Sequence, residues 1–540
     1  MNTSPTPEPR HDYIVVGAGS AGAALANRLT EDGKSRVLLL EAGKANHPYA
    51  QMPASFGLLI NNPQANWLFT SAPEPGTANR EIPVPRGKLL GGSSAINGLV
   101  YVRGQTLDYD TWAQLGNRGW SWQDVAPVFE RMESYEGKHS EGRGQGGPLK
   151  VSEEPDQNPL YDALFAAGDA IGLKNNPDYN GPDQEGIVKT QTTISDGRRM
   201  STARCYLDPA RKRPNLEIVT EAHTRHLLFD GKRCVGVAYS RGGQLVEARC
   251  QREVILSAGA IGSPQILELS GVGRPDVLKA HGIDVLHELS GVGENFRDHI
   301  MARLQWHLKV PEVCYNGRSR GLGLLGQAIR YVTTRRGFLS MPSAPMLAFL
   351  KTRPELASPD VQFHLFPFSV KDLKKRQLQD FPSMAIGVNQ LRPESLGSIH
   401  IQSPDPHAQP AIRFNFFSDP LDRQTMIDGF RIARKLVNAP PMAEFGGDEY
   451  SPGAATTDDE DILNWMRENS QTAYHPIGTC RMGQGASAVV DDQLRVIGID
   501  GLRVADASVM PTMTSGNTNA PCIMIGEKAA DLIKASNQSR

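Results

Sequence analysis

Three glycines, Gly17, Gly19 and Gly22, follow the apolar run 13–16 at G-x-G-x-x-G spacing, and Glu41 closes a second apolar run, 36–41. These residue types suit the binding of a dinucleotide. The first glycine permits a tight strand-to-helix turn, the second lets the backbone approach a pyrophosphate, and the third lets the helix pack closely on the strand. Ser20 and Ala21 open that helix, whose first-turn N–H groups and positive dipole end favour an anion. Glu41, followed by Ala42, puts a carboxylate at a strand C-terminus, where it can accept hydrogen bonds from a ribose and would repel a 2′-phosphate. The fingerprint leaves both NAD and FAD open.

Other segments carry groups of a different kind. A second glycine-rich turn, 87–97, holds Gly91, Gly92, Ser93 and Asn97, which suit close approach to a cofactor and equally suit a plain turn. His475 lies in a loop stiffened by Pro476 and Gly478, shortly before the apolar run 502–506. By itself such a histidine reads more readily as structural than as a proton carrier. A turn at 516–521 contains Asn517 and Asn519 and leads into a helical run, 523–534.

The elements that must position these groups predict an α/β fold, α+β overall. A β-α-β unit fills 11–43, and the stretch 47–86, too long for an ordinary loop, should wrap a ligand or a lobe surface. The polar, Gly-rich segment 136–147 reads as an insertion or mobile loop. Runs 215–219 and 233–239 suggest a hairpin or small antiparallel layer, and 252–260 a buried strand returning to the nucleotide sheet, with a helix at 264–270. Alternation at 360–365 and 398–401 predicts half-exposed antiparallel strands in a separate substrate lobe.

At 540 residues the chain exceeds the size of a single core. With 57 Lys+Arg against 59 Asp+Glu, its net charge of -2 gives no electrostatic case for nucleic acid. Six scattered cysteines without CxxC or metal-ligand spacing read as buried thiols in a reducing compartment, with no metal expected. The start of the chain reads as a short polar tail without a signal-type apolar region. No stretch reaches the roughly 20 apolar residues of a membrane span. A cytoplasmic protein is expected, with peripheral contact to the inner face of a membrane left open.

Taken together, the glycine turns, the segment 257–273, the histidine loop and the Asn517/Asn519 turn resemble the glucose-methanol-choline (GMC) family of FAD-dependent oxidoreductases. Residues 87–110 resemble that family's first signature and 259–273 its second, including Ser263-Pro264 and Ser270-Gly271-Val272-Gly273. The GGSS-x-IN and YHP-x-G-T segments are most similar to those of choline dehydrogenases and bacterial primary-alcohol dehydrogenases.

The resemblance implies a Rossmann-like FAD-binding domain (1–157, 201–303, 467–540) and a discontinuous substrate-binding lobe on an antiparallel sheet (158–200, 304–466). It adds Arg86, Gly98, Asp506, Ala507, Asn517 and Asn519 to the cofactor site. It makes His475 the general base for oxidation of a primary alcohol to its aldehyde, with hydride transfer to flavin N5, and Asn517 its hydrogen-bonding partner. Electrons would pass to a quinone-type acceptor or O₂. Where some relatives link their flavin to a histidine, this chain has Ile96, so FAD should be non-covalent. Tyr474 and Trp67 could cage a quaternary ammonium by cation–π attraction. The lobe's Trp306, Phe363, His364, Phe366 and Phe368 would suit an alkyl or aryl alcohol, although strand alternation sends half of them into the lobe's own core. Aryl- or furfuryl-alcohol oxidation, and lyase or decarboxylase chemistry on the same fold, are the alternatives.

Overall fold

Apolar residues at 13–16 and 37–40 are buried on both faces, which calls for a parallel sheet covered by helices. The computed structural model describes residues 10–137, 141–372, 375 and 377–538. The expected polar tail at 1–9 and residues 138–140 of the Gly-rich segment lie outside them.

Strand β1 (His11–Val16) leads through Gly17 into helix α1 (Ser20–Thr30) and strand β2 (Val37–Leu40), which pairs parallel with β1. Strand β3 (Leu216–Val219) adds parallel to β2. On the other side, β4 (His223–Asp230) and β5 (Arg233–Arg241) form an antiparallel meander with the long β6 (Gln244–Leu256). The C-terminal part of β6 runs parallel to β1 and to the strand Leu502–Val504. The hairpin expected between 215–219 and 233–239 is therefore corrected. Leu216–Val219 is an edge strand of the parallel sheet, and the hairpin partner of β5 is β4, whose histidines and arginine hid it from an apolar-run reading. Helix α2 (Gly259–Leu269) follows β6.

A second sheet is antiparallel. Its strands β7 (Ile300–Leu308), β8 (Met346–Leu350), β9 (Val361–Phe366) and β10 (Ser383–Gln390) run in the order β7-β10-β9-β8, flanked by Gly446–Ser451 and Gly186–Lys189. The short strand Gln471–Thr472 pairs with the start of β7. Two hydrophobic cores follow the two sheets.

The expectation of half-exposed strands fails at β9, which is buried along its whole length. Val361, Phe363 and Leu365 enter the lobe core, while His364 and Phe366 on the other face line the large cavity between the sheets. Trp306 joins Phe363 in the core. The Gly-rich segment is also more tightly held than expected: Arg143 is buried and pairs with Glu133 (2.8 Å) and Asp178 (2.9 Å).

Candidate active site

The carboxyl ends of β1, β2, β6 and Leu502–Val504 converge on one cavity of about 330 Å³, the usual place for a ligand on a parallel sheet. Gly17 turns there at φ +100°, and a Cβ on it would lie 2.4 Å from Ser257 O. A Cβ on Gly22 would lie 2.0 Å from Gly17 O, so glycine is what lets α1 seat on β1. By contrast, a Cβ on Gly19 would meet nothing closer than 4.0 Å. That open space lies on the cavity wall, where a ligand can reach the backbone. No side chain caps α1, so its first-turn N–H groups stay available to an anion.

Glu41 accepts hydrogen bonds from Ala18 N–H (3.1 Å) and Gly43 N–H (2.9 Å), and burial pushes its carboxyl up to about 7. Asp506 is occupied on both oxygens, by Ser508 N–H (2.8 Å) on one and by Gly259 N–H (2.9 Å) and Ser263 Oγ–H (2.6 Å) on the other. All the expected cofactor residues line this cavity except two. Gly22 is a helix-packing residue, and Gly91, at φ +90°, turns the chain against Ala203.

At the other end stand His475 and Asn517, 2.9 Å apart. The histidine loop is pinned between the lobes. Gln471–Thr472 ties its start to β7, while Gly478 N–H and Cys480 N–H donate to Ala507 O (3.2 Å) and Ser508 O (2.8 Å). Tyr474 adopts φ +70°, a left-handed conformation costly for a non-glycine residue, and its neighbours hold it there. Its N–H donates to Thr472 Oγ1 (2.7 Å) and its carbonyl accepts from Arg86 Nη2 (2.6 Å). The buried Asp298 accepts from His475 N–H (2.8 Å) and from the Thr472 hydroxyl.

The hydrogen bonds fix the tautomer of His475. His299 Nε2 faces Leu391 O at 2.8 Å, and a carbonyl only accepts, so His299 carries its proton there. Burial lowers His299 to about 4, which leaves it neutral with a bare Nδ1. His475 Nδ1 lies 2.9 Å from that nitrogen and must donate to it. The lone pair of His475 is therefore on Nε2, where Asn517 Nδ2–H meets it at the cavity surface. Asn517 is oriented in turn by Gln362 Nε2–H (3.4 Å), Gln362 by Asn389 (3.3 Å), and Asn389 by His364 (3.0 Å). Burial first, then the proximity of His299, His364 and Arg86, hold His475 well below the usual histidine range. At neutral pH it is an uncharged base with one fixed acceptor nitrogen.

Sequence reasoning missed His299, Asp298, Gln362 and Asn389. His299 directly follows an aspartate in Arg297-Asp298-His299, and only this weak local signal was available. Gln362, Asn389 and Met301 are polar or apolar strand residues that adjoin one another only through the cross-strand register.

Family models of GMC oxidoreductase match residues 11–301 and 393–526. The chain is a GMC oxidoreductase. It is 42% identical over 532 residues to an oxygen-dependent choline dehydrogenase of Escherichia coli (strain K12 / DH10B), covering 97% of this chain and 95% of that one. Among solved structures it is similar to pyridoxine 4-oxidase from Mesorbium loti (TM-score 0.87, 28% identity, 97% of this chain and 99% of that chain). It is also similar to an R554K variant of Aspergillus oryzae RIB40 formate oxidase (TM-score 0.90, 28% identity, 98% and 99%), whose description concerns FAD modification. GMC oxidoreductases are FAD-dependent and act on the CH–OH group of donors. The glycine cradle, the uncapped helix and the buried Glu41 fit the ADP half of that cofactor. All six cysteines are free thiols, five of them buried.

Proposed function

We propose that this GMC oxidoreductase oxidises an uncharged primary alcohol to its aldehyde, with His475 Nε2 as the general base and Asn517 as donor to the reacting oxygen. The observation that carries this reading is the tautomer lock. A neutral histidine whose only bare nitrogen faces the cavity can take a hydroxyl proton, and the adjacent amide N–H can support the negative charge that develops on oxygen. Once protonated, His475 is a buried cation beside Arg86, so it is best stabilised while the developing alkoxide is next to it. Bound FAD supplies the two-electron acceptor for the hydride.

The site residues divide by role. Gly17, Gly19, Ser20, Ala21, Glu41 and Ala42 would hold the ADP half, while Gly92, Ser93, Asn97, Gly98, Asp506, Ala507, Asn517 and Asn519 would line the remainder. Asn97 is itself fixed by the buried Arg199, whose Nη1 donates to both Asn97 O and Oδ1 at 2.7 Å. Ile96 offers no nucleophile for a covalent link, which favours non-covalent FAD.

The cavity lining bears on the charge of the substrate. The carboxylates on the cavity wall are Glu41, at the nucleotide end, and Asp506, already occupied on both oxygens. Beside His475 the wall offers Met301, Phe366, Tyr474 and the cation Arg303, which lies 5.7 Å from the Phe366 ring. Among the described residues, no carboxylate beside His475 lines the cavity to pair with a quaternary ammonium, and Asp298 behind the histidine is already taken up by His475 N–H and the Thr472 hydroxyl. Trp67, on the cavity wall, stacks on Phe69, tilts against His223 and carries Lys88 Nζ 4.5 Å from its ring centroid. These contacts favour a place for Trp67 at the nucleotide end, leaving Tyr474 as the substrate-side aromatic.

A panel of choline, alkanols, benzyl-type alcohols and polyols, run with O₂ and with an artificial dye, tests the reading and assigns the acceptor as quinone-type or O₂. An uncharged primary alcohol should bleach the flavin anaerobically at least about tenfold faster than choline. Choline as the best substrate would overturn the charge argument, and turnover without bleaching would overturn oxidation. The free thiols favour a reducing, cytoplasmic setting.

A further inference from the structure

Helix α3 (Gly321–Thr334) is built inside out. A surface helix ordinarily turns its apolar stripe to the core. Here Leu322, Leu325, Ile329 and Val332, spaced to share one face, are 87%, 57%, 58% and 71% exposed, and only Tyr331, on the opposite face, is buried. The exposed Tyr49 extends the patch, lining one groove together with Val332.

Cations predominate around this face, although Arg320, Lys351 and Arg353 are paired with Asp380, Glu185 and Glu355, and the exposed Asp196 precedes Gly197, which packs against Arg335. Residues 313–354 contain Arg318, Arg320, Arg330, Arg335, Arg336, Lys351 and Arg353 and no carboxylate, and residues 42–73 contain Lys44 and no carboxylate. Arg330, Arg335 and Arg336 are exposed and make no ion pair among the described residues. In a chain of net charge -2 this is a marked local excess.

We infer that α3 seats the enzyme on the surface of an anionic phospholipid bilayer. Exposed leucines in an amphipathic helix flanked by arginines suit the boundary between acyl chains and headgroups. Spanning is excluded by length: 14 residues cover about 21 Å, short of the roughly 30 Å of a hydrocarbon core. A second copy is disfavoured as the occupant, since a two-fold contact would press this cationic face against itself.

The position adds a functional consequence. The turn Phe338–Ser340 after α3 packs on the turn Pro53–Ser55, and the residues just beyond each, Ser343 and Phe56, line the main cavity. Ser343 N–H donates to Gly98 O (2.9 Å) within the cofactor site. Docking through α3 would therefore set on the lipid a segment that continues into the cavity wall, and an apolar alcohol or a quinone-type acceptor would partition into that lipid.

Co-sedimentation of the holoenzyme with phosphatidylcholine vesicles, with and without phosphatidylglycerol, tests this independently of the alcohol oxidised. The wild type should pellet with the phosphatidylglycerol vesicles and be released by salt. The variant Leu322→Ser/Leu325→Ser/Ile329→Ser/Val332→Ser should lose at least about tenfold in affinity with unchanged thermal unfolding, since the stripe makes no core contact. Arg330→Ser/Arg336→Ser should weaken binding by about fivefold per arginine and flatten the salt dependence. Wild-type protein left in the supernatant, or a stripe variant that binds normally, would overturn the inference. So would a lipid-free dimer that the stripe variant dissociates, because a second copy would then cover the face.

Discussion

The two ends of the cavity are built from different materials. At the proposed nucleotide end the wall is mostly backbone: Gly17, Gly19 and Gly22 shape a turn, α1 leaves its first N–H groups uncapped, and the buried Glu41 is held by Ala18 N–H and Gly43 N–H. At the reaction end, side chains from β9, β10, the Asn517 turn, the histidine loop and His299, just before β7, form one directed chain of hydrogen bonds from His364 to the Leu391 carbonyl. A backbone site fails sterically and as a whole. A side-chain network can lose one member and keep the cofactor.

Gly22→Val should break the first end completely. Its Cβ would stand 2.0 Å from Gly17 O, against immovable backbone, so protein-bound flavin absorbance after desalting should vanish. Gly33→Ala is the control, because a Cβ there meets nothing within 4 Å and FAD should be retained despite strain at φ +73°. At the other end, Asn517→Ala should slow anaerobic flavin reduction by about a hundredfold while FAD stays bound, since it removes the donor to the developing oxyanion. His299→Phe acts through His475 by removing the acceptor that locks its tautomer. Its expected cost is on the order of tenfold, read as a fall in the limiting reduction rate with little change in KM.

The smallest effect is in the pH profile. His475 is held well below the ordinary histidine value, and only its unprotonated form can take the hydroxyl proton. Reduction rate should therefore be level through neutral pH and fall only on the acid side of about 6.5. An acid limb centred above that value would assign it to another group.

How legible each end was follows from the same contrast. The nucleotide end occupies contiguous residues with a fixed spacing, so Gly17 to Gly22 and Glu41 could be read directly, and the strands on either side announced themselves as apolar runs. His475 and Asn517 became legible only through resemblance, because their spacing carries no local signature. Gln362 and Asn389 could not be found at all: they are opposite partners in the β9/β10 register, and pairing is set by tertiary packing. The misreading of 215–219 has a similar cause. A short β-type run such as Leu216-Glu217-Ile218-Val219 fits a parallel edge strand as well as a hairpin, and only its neighbour β2 decides.

His475→Ala, measured for bound FAD and for anaerobic alcohol-dependent bleaching on the same sample, tests the division of labour most directly. FAD occupancy should match the wild type while the reduction rate drops by about 10²–10⁴-fold. An unchanged reduction rate, or loss of the cofactor together with the activity, would contradict the assignment of the base to His475 Nε2.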